Sequence, residues 1–331
     1  MPEAAVDTLF RKMVARGSLD GPATHSDPLA RAFYADAAVR ASAFTPAVEE
    51  ALARRGWMDP FHLLDLCYRA ANLLNVSRVG WADFLPTMDL TRYADLLATR
   101  NVATFVPERY RALELFLRML QRHSGPVCVA DWGCSTNHGL VHVQSARSAP
   151  EGLHLDGLTV EEELEPLTLV DPVGVDVMDL SPSQWEEWSW ACAYGSPARR
   201  VPPTPSSDPV RRVVLDVTRP MGPKAAELPR PDVVHCSMLS QQLSAVQRNT
   251  MLANAGMLLA PGGFVVELAF ARANTLSRPW NTVTLIHPRT HDGRLGQPLR
   301  WIVWESSSCQ SARAGVDTAR FDALIETRRA A

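Results

Sequence analysis

The chain of 331 residues has almost no lysine: Lys12 and Lys224 are the only two, and its other basic residues are arginine, as in proteins of high-GC genomes. A formal net charge of −3 gives no electrostatic reason to expect nucleic acid as a partner, because that binding rests on neutralised phosphates. The six cysteines (Cys67, Cys128, Cys134, Cys192, Cys236, Cys309) are scattered. They make no C-x-x-C pair and no histidine–cysteine spacing of a zinc site, so no metal is expected. Cys128 and Cys236 fall inside apolar runs and read as small core residues. There is no secretory signal and no apolar run of membrane-spanning length, which makes the cytoplasm the expected compartment and a membrane partner unexpected. No internal repeat is evident. What remains, 46% hydrophobic and 21% charged, is the composition of a globular protein long enough for one large domain or two modest ones.

Against that background one stretch stands out. Val127-Cys-Val-Ala-Asp-Trp-Gly-Cys-Ser135 is an apolar run that ends in Asp131, turns at Gly133 and continues through Thr136-Asn-His-Gly-Leu140. It reads as a buried parallel strand, a tight turn and the start of a helix. In doubly wound α/β proteins a nucleoside-type ligand sits outside the carboxyl end of such a strand. A glycine at position 133 would let the backbone approach that ligand.

The pattern repeats. Val173-Gly-Val-Asp-Val177 is a second short apolar strand with an acid, Asp176, and Arg212-Val-Val-Leu-Asp216 a third, ending in Asp216. Pro231-Asp-Val-Val-His-Cys-Ser237 is a fourth, and Leu258-Leu-Ala-Pro-Gly-Gly-Phe-Val-Val-Glu-Leu268 supplies a helix end, a turn and a fifth. Strands alternating with helical segments predict a mostly parallel sheet. This order of signals resembles the class I S-adenosylmethionine-dependent methyltransferases, which implies an α/β, Rossmann-like fold and S-adenosylmethionine as cofactor.

Residues 1–123 read as a helical N-terminal region, a lid or a packed subdomain, and residues 124–331 as the α/β domain, divided near Ser124-Gly-Pro126. Helix starts are predicted at Asp27-Pro28, Thr45-Pro46 and Asp59-Pro60. Tyr110, Leu113, Phe116, Leu117 and Leu120 form the apolar stripe of a helix leading into the sheet. Two inserts interrupt the α/β part. Glu151 to Thr168 carries Glu161-Glu-Glu163 and Glu165 and reads as a solvated hairpin; Pro197 to Pro209 reads as an irregular loop. Trp185, Trp188 and Trp190 cannot share one helical face, so at least one is expected to be exposed.

The chain also resembles an uncharacterised methyltransferase-like family of high-GC bacteria known only as a domain of unknown function. Three regions carry the resemblance: Leu96 to Arg109, similar to a helix–T-N-E–x–x–R segment; Asp131-Trp-Gly-Cys-Ser135, an acid–x–G–small–S turn; and Gly174-Val-Asp-Val177 through Trp188-Ser-Trp-Ala-Cys192. Two departures stand out. Phe105-Val106 replaces the family's Asn-Glu, and Thr136-Asn137-His138-Gly139-Leu140 replaces its A-G-L-N-L. A loop rebuilt with polar groups implies a specialised member, at work in a biosynthetic pathway.

The resemblance implies that Asp176 accepts both ribose hydroxyls of the cofactor, with Asp179 as the fallback, since two hydroxyl donors match two carboxylate oxygens. It places Asp216 near the base, unless Asp216 caps the turn before Thr218, and Asp131 near the amino-acid part, unless it caps its own turn. Gly133, Ser135 and Ser237 complete the expected cofactor contacts, and Asn137, Gln241 and Gln242 are candidates to orient a substrate. His138 and His235 stand at strand ends and are candidate general bases, each with the alternative of a hydrogen-bonded structural histidine. Glu267, inside an apolar strand, is a third candidate base; there it must be paired or have a raised pKa.

Three function classes fit these residues. One is a methyltransferase on a small molecule. Another is a repurposed methyltransferase fold that performs a different substitution, such as ring closure by an amine. The third is a non-catalytic partner subunit. Homo- or hetero-oligomerisation is compatible with each.

Overall fold

The computed structural model of the protein describes residues 28–56, 58–103, 107–135, 137–145, 154–156, 166–192, 210–270, 282–304, 311–315, 317, 319–320 and 323–325. The acidic run 161–165 and the loop 197–209 lie outside the described residues. Two compact units are present: Met1–Phe105 with Leu180–Val201, and Val106–Asp179 with Pro202–Ala331. This differs from a cut at 123/124 in two respects. The helix that leads into the sheet belongs to the unit of the sheet, and a later helix joins the N-terminal unit.

The first unit is helical: α1 (Pro28–Val39), α2 (Ala41–Arg55), α3 (Pro60–Leu74), the single turn α4 (Trp81–Phe84), α5 (Leu90–Thr99) and α8 (Pro182–Cys192). Two of the three predicted starts are where α1 and α3 begin, and Asp59 Oδ1 accepts the His62 N–H at 3.0 Å. The start at Thr45-Pro46 is overturned. α2 begins at Ala41 and carries Pro46 inside it, with Phe44, Ala47, Val48 and Ala51 buried. One lost backbone bond near the helix start is outweighed by that buried face. Phe33, Tyr34, Tyr68 and Trp81 form an aromatic cluster, with Phe33 and Trp81 centroids 5.1 Å apart. Trp185 and Trp188 of α8 are buried. Trp190 is partly exposed beneath the Arg78 guanidinium, 3.4 Å from the ring centre.

The second unit is built on one nine-stranded sheet in the order β2-β9-β8-β7-β6-β5-β1-β3-β4. Its strands are β1 (Val127–Trp132), β2 (His154–Asp156), β3 (Leu169–Asp176), β4 (Arg211–Val214), β5 (Val233–Ser237), β6 (Phe264–Phe270), β7 (Thr282–Pro288), β8 (Leu299–Trp304) and β9 (Ser311–Ala314). The five strands read from sequence, β4-β3-β1-β5-β6, are all parallel. They form a doubly wound, Rossmann-like α/β sheet. The chain runs outward from β1 to β3 and β4, then returns to β5 on the other side of β1. That reversal makes the β1/β5 boundary a topological switch point. β7, β8 and β9 continue the sheet as an antiparallel meander, and β2 pairs with β9. Thr282-Val-Thr-Leu-Ile-His-Pro288 and Leu299-Arg-Trp-Ile-Val-Trp304 are rich in β-branched and aromatic residues, a strand signal in composition that carries no motif.

Alternation along the strands divides the chemistry between two faces. Trp132, Cys236 and Val265 share one face with Met251, Ala255 and Leu259 of α9 (Ala245–Leu258) or just beyond it. Asp131 is level with Gly174 and His235 on the other face. There Phe116 of α6 (Arg111–Ser124) packs edge-on to Phe264, centroids 5.4 Å apart. α9 opens with a capping box between Ser244 and Gln247. It docks on the β7–β8 turn through Gly256, whose carbonyl accepts from Arg289 Nε at 2.9 Å.

A Cβ on Gly256 would stand 2.7 Å from the Gly293 carbonyl oxygen. Alanine gains up to about 1 kcal/mol in helix propensity, but overpacking against backbone costs about 1–3 kcal/mol. Gly256→Ala should therefore lower stability on balance, read as a lower denaturant midpoint at unchanged slope.

Candidate active site

The carboxyl ends of β1, β3, β4 and β5 lie side by side, and the acids found in the sequence stand there. Asp131 is the penultimate residue of β1, Asp176 the last of β3, and Asp216 lies two residues beyond β4. Ser237 ends β5, and the turn Ser240–Gln242 follows it.

The loop after β1 is wound tightly. Gly133 has φ +75°, and Ser135 and Asn137 adopt left-handed φ of 54° and 62° without being glycine. A Cβ at Gly133 would meet only Leu239, at an ordinary 3.5 Å, so it is the backbone angle that selects glycine. Left-handed non-glycine residues cost energy and concentrate at ligand sites. The loop is held from below by Asp176: its Oδ2 accepts the Ser135 N–H at 2.9 Å and its Oδ1 the Met178 N–H at 2.9 Å. At 7% exposure, burial raises the Asp176 pKa against the opposing pull of those N–H groups and Arg212. The Ser135 hydroxyl is buried with no partner among the described residues.

Asn137 is not turned toward a substrate. Its Nδ2 donates to the Val210 carbonyl at 3.0 Å, and its Oδ1 occupies the space that a Cβ on Gly174 would fill, 1.6 Å away. The side chain clamps the loop onto β3, which is why β3 carries a glycine there. Asp216 adopts the turn-capping alternative: Oδ1 accepts from the Thr218 N–H at 2.9 Å and its hydroxyl at 2.6 Å, and Oδ2 lies 3.0 Å from Arg219 Nε. Gln242 Nε2 donates to the Met238 carbonyl at 3.0 Å. The Gln241 side chain and Thr136 lie outside the described residues.

The two histidines differ in kind. His235 is 1% exposed, and its Nδ1–H donates to Asp131 Oδ1 at 2.7 Å, because a carboxylate can only accept. Tyr110, the last residue of the 3₁₀ turn Pro107–Tyr110, donates its hydroxyl to Asp131 Oδ2 at 2.9 Å, with its ring 5.0 Å from the imidazole. That ring fills the space above Gly139, where a Cβ would be 1.8 Å away. Burial and then the charge of Asp131 raise the Tyr110 pKa far above its ordinary value, so the phenol stays protonated and donates. Tyr110, read from sequence as part of an apolar stripe, is thus a polar anchor. The signal for it was the hydroxyl itself, since a buried tyrosine needs a partner. His138 opens α7 (His138–Ser145) directly after the loop and is only partly buried. Burial lowers its pKa below 6.5, so it is neutral and able to accept a proton at neutral pH.

Glu267 points to the opposite face of the sheet from His235. It is 0% exposed and accepts from the Ser240 hydroxyl, from Arg248 Nη2 at 3.1 Å and from His287 Nε2 at 2.9 Å. Burial would raise its pKa, but the hydrogen bonds from His287 and Ser240 and the nearby positive groups win and hold it at about 2. A carboxylate so low and so fully partnered is a poor proton acceptor. The expectation of a base here gives way to that of a clasp, which ties the segment after β5 to β6, β7 and α9.

Among the described residues no group of three or more histidine, cysteine or acidic side chains could hold a metal ion, and no helix is long and apolar enough to cross a membrane. The strand-end groups do fit a nucleoside-type ligand. Gly133 is exposed, the Ser135 hydroxyl is unpartnered beside Asp176, and each carboxylate oxygen of Asp176 keeps a second lone pair.

The folded Glu267 pKa lies below the ordinary 4.5, so its contribution to stability is complete above that value and is lost as pH falls toward about 2. Glu267→Gln, which leaves Arg248 and His287 facing a neutral group, should cost about 3 kcal/mol at pH 7. The gap between variant and parent should narrow in acid melts below pH 4.5.

No family model matches the chain, and no curated protein matches it in sequence. Solved structures do. The plantazolicin methyltransferase BpumL, in complex with a triazolic desmethylPZN analog and SAH, matches with TM-score 0.30 and 13% identity over 49% of this chain. The chain spans about half of that protein, 47% of its length. The Burkholderia thailandensis 1,6-didemethyltoxoflavin-N1-methyltransferase, with bound 1,6-didemethyltoxoflavin and S-adenosylhomocysteine, matches with TM-score 0.29 and 16% identity over 67% of each chain. SAM-bound CalS10 from Micromonospora echinaspora, an amino pentose methyltransferase involved in calicheamicin biosynthesis, matches with TM-score 0.30 and 15% identity over 67% of this chain and 82% of its own. These TM-scores are low, and the fold class stands on the chain's own strand order.

Proposed function

We propose that this chain is a methyltransferase-fold enzyme acting on a small molecule in a biosynthetic pathway, with S-adenosylmethionine as methyl donor. The observation that carries the reading is the switch point: a left-handed glycine turn after β1 beside an acid that ends the adjacent β3. S-adenosylmethionine held there would supply an electrophilic methyl group. Asp176 would receive the ribose hydroxyls on its remaining lone pairs, the Ser135 hydroxyl would find a partner, and Gly133 would allow close backbone approach. His138, neutral and at the edge of this loop, would take the proton from the attacking oxygen or nitrogen. His235 would not touch the reactants; with Tyr110 and Asp131 it would hold the floor of the site. Most of the rate would come from positioning, as a displacement with two oriented reactants requires.

A second reading is favoured by one observation. The N–H groups of Gly133 and Cys134 bond the Val175 carbonyl, that of Ser135 bonds Asp176, and Asp176 accepts on both oxygens. A site that satisfies its own cofactor-binding groups suits a fold repurposed for a substitution without methyl transfer. An amine nitrogen would then displace an activated oxygen on the substrate's carbon, closing a ring, with His138 taking the amine proton.

Calorimetry with S-adenosylmethionine and S-adenosylhomocysteine separates the two. The first reading expects micromolar binding, reduced by about 1–3 kcal/mol in Asp176→Asn with the circular dichroism unchanged. An absence of binding to the parent selects the second. Under either reading His138→Ala should slow turnover by about a hundredfold or more. It should also remove an inflection below pH 6.5 from the pH–rate profile, since a base with a lowered pKa loses activity only as pH falls through it. Near-parental turnover would exclude His138 as the base.

A further inference from the structure

We infer that Arg109 binds a carboxylate at the carboxyl end of β1, a role that rests on the strand-end site proposed above. Arg109 is the third residue of the turn Pro107–Tyr110, and the position of this turn is over-determined. Its next residue, Tyr110, is bonded through the hydroxyl to Asp131, and the turn packs against α7 with the tyrosine ring seated on Gly139. The turn that carries Arg109 is therefore fixed beside the switch point and is not a free loop. Arg109 is partly buried; its Nε is shut off from solvent and has no hydrogen-bond partner. Among the described residues nothing forms an ion pair or hydrogen bond with it.

That state is costly. A buried N–H without an acceptor forfeits the bond it would make with water, and a cation loses more than a neutral donor. The acid at this end of β1 does not offset it: Asp131 accepts from Tyr110 and His235, and among the described residues no ion pair joins it to Arg109. The positive charge is felt locally: burial and Asp131 raise the Tyr110 pKa, and Arg109 pulls it back. A planar fork of donors with no acceptor of its own matches a carboxylate, which it can hold by two parallel bonds. Two ligands could bring one: the amino-acid end of a nucleoside cofactor, or a carboxylated substrate.

The experiment compares the parent with Arg109→Gln and Arg109→Lys by calorimetry, using three probes. They are S-adenosylhomocysteine, 5′-methylthioadenosine (the same nucleoside without the amino-acid carboxylate) and benzoate, the last titrated with and without S-adenosylhomocysteine. If the cofactor supplies the carboxylate, Arg109→Gln weakens S-adenosylhomocysteine by about tenfold or more and leaves methylthioadenosine unchanged. If the substrate supplies it, both nucleosides bind as before and benzoate binding is lost. Arg109→Lys, which keeps the charge but not the fork, should fall between parent and Gln, and it carries the test should Arg109→Gln fail to melt cooperatively. Equal affinities of parent and variants for all three probes overturn the inference while leaving the cofactor reading intact. If the parent binds neither nucleoside, the cofactor reading fails alone and benzoate still decides: its loss in Arg109→Gln supports the role, and equal or absent binding overturns it.

Discussion

Everything at the candidate site is arranged around one buried charge. Asp131, the penultimate residue of β1, has 1% of its surface exposed, and a carboxylate in that position survives only if its oxygens are occupied. Tyr110 bonds one oxygen and His235 the other, so three separate pieces of chain are drawn to one point: the turn before α6, the end of β1 and the middle of β5. That point is the switch point of the sheet. Gly139 and Gly174 follow from this arrangement. The first makes room for the tyrosine ring, and the second for the Asn137 side chain that locks the β1 loop onto β3.

The sheet carries a second buried carboxylate of the same design on its other face. Glu267 is held by His287, Arg248 and Ser240, much as Asp131 is held by His235 and Tyr110. Both are acids in apolar strands, and both are satisfied by a histidine from a neighbouring strand. Their positions separate their consequences. Asp131 fixes the turn before α6 and ties β1 to β5, and Glu267 fixes the segment that follows β5. Each is occupied by its neighbours and serves to hold the fold.

Much of the fold was legible in the sequence because parallel strands buried on both faces leave continuous apolar runs, and turns leave glycine and acids at their ends. β6 is the clearest case: the apolar run after the Pro261-Gly-Gly turn, read as a fifth strand, is β6 (Phe264–Phe270). The antiparallel extension was less legible, since β7 and β8 lack a motif and pair with strands distant in sequence. The positions of Asp131, Asp176, Asp216 and His235 at one end of the sheet also followed from the pattern. Their partners did not. That Asp216 caps its own turn, that Asn137 faces inward and that Glu267 lies on the far face depend on register and side-chain direction.

The sequence by itself determined the five parallel strands in their chain order, the glycine turn and the acids near strand ends, because those are local consequences of hydrophobic period and backbone freedom. Only the tertiary structure decided which polar groups are spent on holding the fold and which are left over. His235 and Glu267 are consumed by neighbours 104 and 20 residues away in sequence, whereas Arg109 and the Ser135 hydroxyl are left without partners among the described residues. Hydrogen-bond satisfaction is a property of three-dimensional neighbours, and a residue's own type cannot reveal whether its partner has already been found.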